Sequence, residues 1–199
     1  YKKALVIGAE TLSKYINWED RNTCVLFGDG AGAAVLGQVE EGYGILSFDL
    51  GSDGSGGDAI QIPSSGSLMP VSKESIDQRL NLIHMNGKEV FKFAVKAMGR
   101  TVKNSLEKIG MPQEKIDWLV PHQANIRIIE SAAKRLSMPM DKVIVNIQKY
   151  GNMSAACIPI ALAEASAAKR FKKGDIIALS GFGAGLTWAS CIIRWSKED

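Results

Sequence analysis

Three short stretches carry groups that could do chemistry, and each lies just past the predicted end of a strand. Pro121-His122-Gln123-Ala124-Asn125 follows the apolar run 116–120 and precedes a helical pattern, which places an imidazole at the carboxyl end of a strand. Asn152 lies in Lys149-Tyr150-Gly151-Asn152, and the third stretch is Gly181-Phe182-Gly183-Ala184-Gly185. Ligands of open α/β sheets bind at this edge. For His122, a capping histidine that bonds nearby backbone stays the alternative.

The spacing of the three stretches predicts that they meet. His122, Asn152 and the glycine loop 181–185 are each separated by about one βα unit, so we expect them to line one pocket. Two neutral donors side by side suit an oxygen that gains negative charge, such as that of a thioester enolate. Backbone N–H groups of a glycine loop suit a second oxyanion.

The composition excludes several classes of function. The net charge of +3 is too small to indicate nucleic-acid binding. There is no run of about 18 apolar residues, which argues against a membrane span, and the sequence has no signal-peptide pattern. Cys24, Cys157 and Cys191 lie far apart in apolar runs, which indicates buried free thiols in a reducing compartment and no metal site. None of the three has the setting of a catalytic nucleophile.

The order of apolar patterns predicts an α/β fold. Strand and helix patterns alternate from residue 85 to residue 180, which indicates parallel strands, and the last strand should be antiparallel to its predecessor. The clearest helix is Met85–Gly110, whose apolar positions recur at helical spacing and whose end is marked by Gly110. Its predicted core face is Val95, Met98, Val102, Leu106 and Ile109. The other predicted elements are strands at 5–8, 24–27, 45–50, 116–120, 142–146, 175–179 and 186–195, and helices at 125–137 and 154–170.

One glycine pattern occurs twice. Gly28-Asp29-Gly30-Ala31-Gly32 and the loop 181–185 share Gly-x-Gly-Ala-Gly, each between two apolar runs, which predicts a duplicated fold whose halves both end in a hairpin. Residues 1–40 would then end the first half, and 41–199 would form the second. Chance similarity of turns is the alternative. We reject a dinucleotide fingerprint at residues 28–33, because a strand pattern follows it. Since a strand pattern opens the sequence, we expect the chain to be the later part of a longer protein.

With these motifs in place, the chain resembles the carboxyl-terminal three-fifths of the β-ketoacyl-acyl-carrier-protein synthase III family, within the thiolase superfamily. The matching motifs are Phe27-Gly28-Asp29-Gly30-Ala31-Gly32-Ala33, Pro121-His122-Gln123-Ala124-Asn125, Tyr150-Gly151-Asn152 and Gly181-Phe182-Gly183-Ala184-Gly185-Leu186-Thr187-Trp188. The resemblance implies an α/β thiolase-like duplicated fold with mixed sheets and helices layered between them. It also implies decarboxylative Claisen condensation of an acyl-CoA primer with malonyl-acyl-carrier protein, which initiates fatty-acid synthesis.

The resemblance assigns roles to individual positions. The catalytic residues are His122 and Asn152, and the oxyanion hole includes the N–H of Ala184, where the family usually has Gly. The implied coenzyme A contacts are Arg21, Phe91 and Asn125. The implied carrier-protein contacts are Lys92, Arg127, Lys134 and Arg135. The family's nucleophilic cysteine precedes the residues of this chain, so we expect the chain alone to be inactive.

The family also sets expectations for partners and compartment. The coenzyme A thioester is a substrate rather than a cofactor, no metal is expected, and acyl carrier protein is the macromolecular partner. A homodimer in the cytoplasm is implied. A solvent-exposed helix face with no binding role stays the alternative for the basic residues of the long helix, Lys92, Lys96, Arg100 and Lys103.

Two other interpretations stay open from the sequence. A type III polyketide synthase fits the motifs at 150–154 and 181–187, but it fits Pro121-His122-Gln123-Ala124-Asn125 less well. Elongating condensing enzymes have a second histidine where Asn152 stands, and thiolases lack this asparagine. The non-enzyme alternative is a catalytically silent fragment.

Overall fold

The computed structural model describes residues 1–198. The strands are β1 (Lys3–Thr11), β2 (Asp29–Gly37), β3 (Gly44–Ser52), β4 (Ile60–Gln61), β5 (His84–Met85), β6 (Trp118–Pro121), β7 (Ile176–Gly183) and β8 (Thr187–Arg194). The α-helices are α1 (Lys73–Asp77), α2 (Gly87–Glu107), α3 (Ile126–Arg135), α4 (Ile147–Tyr150) and α5 (Cys157–Ala167). Short 3₁₀ turns connect several of them, including Ser154–Ala156 just before α5.

A four-stranded sheet with the order β3-β8-β7-β6 forms the centre of the fold. β6 and β7 are parallel, and β8 is antiparallel to both β7 and β3, so the predicted direction of the last strand is confirmed. Along β7, Ile176 and Ala178 enter one apolar cluster, whereas Ile177 packs in the cluster on the opposite face. This alternation is what buries both faces of the strand.

Helices cover the two faces of this sheet. α2 and α3 pack on one face, where Met98 and Val102 of α2 and Ile129 of α3 are fully buried. α5 packs on the other face through Ala161 and Ala165. The predicted core face of α2 is largely confirmed, but Ile109 is 37% exposed because the helix ends at Glu107.

The strand predicted at 142–146 is wrong in its extent. Only one parallel bridge forms there, between Leu119 and Val143, supported by a 2.9 Å hydrogen bond from the Ile144 N–H to the Leu119 carbonyl. The buried side chain of Gln123 bonds the Ile144 carbonyl and the Asn146 N–H, at 3.1 and 3.0 Å. The next rung of the ladder would need an N–H at residue 121, which is proline, and the Gln123 side chain bonds the Ile144 carbonyl instead, so the pairing ends there.

β1 and β2 form a separate antiparallel hairpin, paired from Lys3–Gly37 to Thr11–Asp29. In the segment 24–27, predicted as a strand, residues 24–26 are a turn and Phe27 forms a single bridge, and the glycines that follow lie mostly inside β2. In the second copy of the pattern the glycines end β7 and enter a turn, so the two copies are not structurally equivalent. A Cβ at Gly30 or Gly32 would crowd Met153 or Ile160, so the glycines of β2 permit close packing of the segment 153–160. The rejection of a dinucleotide fingerprint is confirmed, because β2 is a strand.

Candidate active site

His122 follows the last residue of β6, and its backbone continues the sheet. The His122 N–H donates to the Ser180 carbonyl of β7 at 2.8 Å. The ring packs edge-on against Phe182, with the centroids 5.4 Å apart, and the residue is only 9% exposed. Burial lowers the pKa of His122 from its ordinary value to about 4. The imidazole is therefore neutral near pH 7 and can offer one N–H to an oxygen.

Asn152 is held by a different part of the chain. Its backbone forms a parallel bridge with Phe27, in which the Asn152 N–H donates to the Leu26 carbonyl at 2.9 Å and the Gly28 N–H donates to the Asn152 carbonyl at 2.8 Å. Its side-chain Oδ1 accepts from the Ser154 N–H at 2.9 Å. This bond fixes the carboxamide plane and leaves the Nδ2 amide as the donor that Asn152 can offer.

The glycine loop closes the turn between β7 and β8. Ala184, where the resemblance implies Gly, is exposed, and its carbonyl accepts from the Thr187 hydroxyl at 3.1 Å. The positive φ of this turn falls on Gly185, at 137°, rather than on Ala184. The alanine methyl group is therefore accommodated without left-handed backbone at that position.

These three parts line one cavity of about 1370 Å³. Five of the residues singled out from the sequence lie on its wall: Phe91, His122, Asn125, Asn152 and Ala184. The apolar residues of the wall include Phe27, Ile128 and Trp188. A large and mostly apolar cavity with a few convergent polar groups is the usual form of a substrate site.

Two of the three residues expected to contact coenzyme A lie on the cavity wall. Phe91 lies on α2 at the wall, and Asn125 caps α3 by accepting from the Arg127 N–H at 2.9 Å. Arg21 is exposed, and its neighbours Asp20 and Asn22 are the ones that line the cavity. Their contacts with coenzyme A stay predictions.

The residues expected to bind the carrier protein lie outside the cavity wall, on the neighbouring helices α2 and α3. Lys92 pairs with Glu89 at 2.9 Å in an exposed contact, which is worth little to stability. Arg127 and Lys134 are exposed on α3. Arg135 is also exposed, although its aliphatic stem packs closely over Gly99 of α2. Their role in docking stays a prediction.

The structure adds wall residues that sequence reasoning missed. Lys88 lies at the start of α2, and Trp188 of β8 carries the Arg100 guanidinium over its ring at 5.3 Å. Trp188 is the last residue of one of the matched motifs, so the sequence did carry a sign that it belongs to the site. Lys88 lies two residues after the helix cap Asn86, and no other feature of the sequence marked it as a wall residue.

The cysteines are free, as predicted, but only Cys157 is fully buried. It begins α5, and its sulfur accepts a 3.1 Å hydrogen bond from the Met153 N–H. Burial raises the pKa of the Cys157 and Cys191 thiols, which disfavours the nucleophilic thiolate. Cys24, in a turn, and Cys191, on β8, are only partly buried.

Within residues 1–198, no group of three or more His, Cys, Asp or Glu side chains is arranged to hold a metal ion. No helix in the same part of the chain has the length and apolar character needed to cross a bilayer.

Comparison with known proteins decides the family. The profile described as 3-oxoacyl-[acyl-carrier-protein (ACP)] synthase III C terminal matches residues 106–195, and the profile described as 3-oxoacyl-[acyl-carrier-protein (ACP)] synthase III matches residues 1–54. The chain belongs to the 3-oxoacyl-[acyl-carrier-protein] synthase III family. A β-ketoacyl-[acyl-carrier-protein] synthase III of Caldanaerobacter subterraneus is 60% identical over 197 residues, which are 99% of this chain and 60% of the relative. That of Desulfitobacterium hafniense strain Y51 is 56% identical over 198 residues, 100% of this chain and 60% of the relative.

The fold agrees with this family. The crystal structure of 3-oxoacyl-(acyl carrier protein) synthase III from Pseudomonas aeruginosa matches with a TM-score of 0.88 and 40% identity, over 100% of this chain and 59% of that one. The expected thiolase-like α/β fold with mixed sheets is therefore confirmed, whereas the division into halves at residue 40 stays a prediction. The chain spans about three-fifths of the curated synthase III relatives that it matches, at 60% of their length.

Proposed function

We propose that this chain supplies the decarboxylating half of an initiating condensing enzyme, which joins an acyl-CoA primer to malonyl-acyl-carrier protein. One observation carries the proposal: a buried, neutral His122 and the side chain of Asn152 line the same cavity as the glycine loop. Two neutral donors favour an oxygen that becomes negative only during reaction. The polyketide alternative is not favoured, because the relatives are named as synthase III enzymes.

The proposed chemistry has two stages. A cysteine thiolate from the part of the family protein that precedes these residues attacks the acyl-CoA carbonyl, the C–S bond to coenzyme A breaks, and coenzyme A leaves as its thiolate. The tetrahedral oxyanion accepts a hydrogen bond from the Ala184 N–H. In the second stage the C–C bond to the malonyl carboxylate breaks, CO₂ leaves, and the electron pair forms an enolate whose oxygen is held by His122 and Asn152. The enolate carbon then attacks the acyl-cysteine carbonyl, and the C–S bond breaks to release the thiolate.

The substrates enter from the open side of the cavity. Phe91 and Asn125 on its wall, with Arg21 beside it, are assigned to the coenzyme A thioester, which is a substrate rather than a bound cofactor. The basic residues Lys92, Arg127, Lys134 and Arg135 are assigned to the acidic carrier protein. Positive charge near the mouth speeds encounter with an acidic partner more than it tightens the final complex.

The assembly and compartment follow from the same assignment. A homodimer that uses β1 is supported by the apolar side chains of Leu5 and Ile7, which are 61% and 62% exposed in the isolated chain. A carrier-protein substrate supports a cytoplasmic location.

The test uses the full-length protein with acetyl-CoA and malonyl-acyl-carrier protein, and it follows CO₂ release and the β-ketoacyl product. We expect one condensation per primer. Repeated extension from malonyl-CoA would point instead to a polyketide synthase. The isolated chain 1–199 should form neither the acyl-enzyme nor the product, and stoichiometric acylation of one of its cysteines by acetyl-CoA would contradict the division of roles.

A further inference from the structure

Gln123 lies beside His122, and its side chain is fully buried, at 0% exposure. Its Nε2 donates to the carbonyls of Pro121 and Ile144, at 2.8 and 3.1 Å. Its Oε1 accepts from the N–H groups of Asn146 and Ile147, at 3.0 and 3.1 Å. A carboxamide has two donor hydrogens and two acceptor lone pairs, so every hydrogen-bonding position of this side chain is used.

These four bonds join the chain segments that deliver the two donors of the site. Pro121 is the last residue of β6, directly before His122. Asn146 is the N-cap of α4 and Ile147 its first residue, and a single residue, Gly151 at φ 69°, separates the end of that helix at Tyr150 from Asn152. The Asn146 side chain does not cap α4, so Gln123 caps it from a distant position.

A second set of contacts holds the same short helix from α5. Glu164 accepts from the Asn146 amide at 2.8 Å, from the Lys149 ammonium at 2.7 Å and from the Tyr150 hydroxyl at 2.5 Å. These hydrogen bonds, from Asn146 first, then Lys149 and Tyr150, lower the pKa of Glu164 to about 2. The carboxylate is therefore charged across the working pH range, and α4 is anchored at both ends.

We propose that Gln123 is a positioning residue, which sets the placement of Asn152 relative to His122 by bridging β6 to the start of α4. The inference rests on the proposed function, because it concerns the step in which both donors hold one oxygen. Decarboxylation should depend on the hydrogen bonds of the Gln123 side chain, since a small displacement of one donor weakens its hydrogen bond to the enolate oxygen. Acyl transfer from coenzyme A should depend on it little, since that step uses the cysteine and the glycine loop.

The experiment uses the full-length protein with Gln123→Met, which keeps the volume of the side chain and removes its hydrogen bonds. We expect kcat for CO₂ release from malonyl-acyl-carrier protein to fall about 100-fold. The rate of acyl-enzyme formation from acetyl-CoA should change little. Gln148→Met is the matched control, because Gln148 lies on the same helix with its side chain exposed, and it should leave both rates unchanged.

Gln123→Glu separates positioning from general damage through its pH profile. A carboxylate at this position would face the carbonyls of Pro121 and Ile144, and it can donate to one of them only when protonated. Burial beside two carbonyls raises its pKa, so decarboxylation should recover as the pH falls. The other titratable groups nearby are Glu164 with its partners Lys149 and Tyr150, the Cys157 thiol, whose pKa is raised by burial, and His122, whose pKa lies near 4. Gln148→Glu should show the wild-type profile.

The outcomes separate this inference from the function on which it rests. If the wild-type protein releases no CO₂, the proposed function fails and the inference fails with it. If the wild type is active and Gln123→Met retains full decarboxylation, only the inference is overturned. Equal losses in both half-reactions, with no recovery of Gln123→Glu at low pH, would also overturn it. Faster hydrogen exchange at the amides of Asn146 and Ile147 in Gln123→Met, with the amides of β6 unchanged, supports it independently of activity.

Discussion

The two loops that carry His122 and Asn152 are held in different ways. The His122 loop is an extension of the four-stranded sheet: its backbone bonds Ser180 of β7, and apolar clusters lie on both faces of the strand that precedes it. The Asn152 loop lies outside that sheet, and its backbone is bonded to Leu26 and Gly28 in the turn before β2. One donor is thus placed by a hydrophobic core and the other by a short backbone bridge.

This difference locates the sensitive part of the site. A core resists displacement because many contacts must change together. A bridge of two backbone hydrogen bonds depends on close approach of the two chains, and here Gly28 has no room for a side chain, since a Cβ would meet the Tyr150 carbonyl oxygen. We therefore expect the geometry of Asn152 to respond to changes in the segment around β2 that leave His122 in place.

The largest expected effect comes from removing the donors themselves. In the full-length protein, His122→Ala or Asn152→Ala should each lower kcat for decarboxylation about 100-fold to 1000-fold, as loss of an oxyanion donor does elsewhere. Because we propose that both donors hold one oxygen, the double variant should lose less than the product of the single losses. CO₂ release measured across this double-mutant cycle tests the pairing. Strictly multiplicative losses would show that the two side chains act independently.

The next effect concerns only the backbone bridge between Asn152 and Phe27. Gly28→Ala pushes against the Tyr150 carbonyl oxygen, which is backbone and cannot move cheaply, and should lower decarboxylation about 10-fold to 100-fold by displacing Asn152. Gly37→Ala is the control, because a Cβ at that end of β2 meets nothing within 4 Å. The rates of CO₂ release are compared. Equal activity of the two variants would mean that the bridge does not determine the position of Asn152.

A smaller effect is expected at the helix that follows His122. Arg127→Glu should lower kcat/KM for malonyl-acyl-carrier protein about 10-fold, with a strong dependence on salt, because charge steers encounter. Acyl transfer from acetyl-CoA should change little. Lys115→Glu, which precedes β6 and so lies at the opposite end of the strand from His122, serves as the control. Equal losses for both substrates would indicate damage to the shared cavity instead.

The smallest effect concerns the pH dependence of stability. The pKa of His122 is lowered from 6.5 to about 4 by burial, so the unfolded chain takes up a proton before the folded chain does as the pH falls. The stability attributable to the neutral imidazole is complete above pH 6.5 and is lost progressively as the pH falls toward 4. Between pH 7 and about 5.5, the wild type should lose about 1 kcal/mol more unfolding free energy than His122→Gln. Denaturant titrations at the two pH values measure the difference, and identical slopes with pH would contradict a neutral buried His122.

Much of the helical framework was predictable from local patterns. The helix α2 and its buried residues follow from apolar spacing, and its end near Gly110 follows from a residue that adopts positive φ, here 61°. The strand at 142–146 was predicted too long, because the side chain of Gln123 bonds backbone groups of that segment. The repeated glycine pattern was misread as two equivalent hairpin turns, because glycine marks both turns and sites of close packing.

Residue types and their order correctly placed a histidine and a glycine loop at strand ends, whereas Asn152 follows the short helix α4 and not the predicted strand. The motifs around the three identified the family. Those conclusions depend only on local periodicity and on short motifs, which a linear chain carries in full. The distant residues that complete the cavity wall, the lowered pKa of His122 and the capping of α4 by Gln123 were decided by the tertiary structure. Each of these depends on burial or on contacts between residues far apart in the chain, so no local pattern contains them.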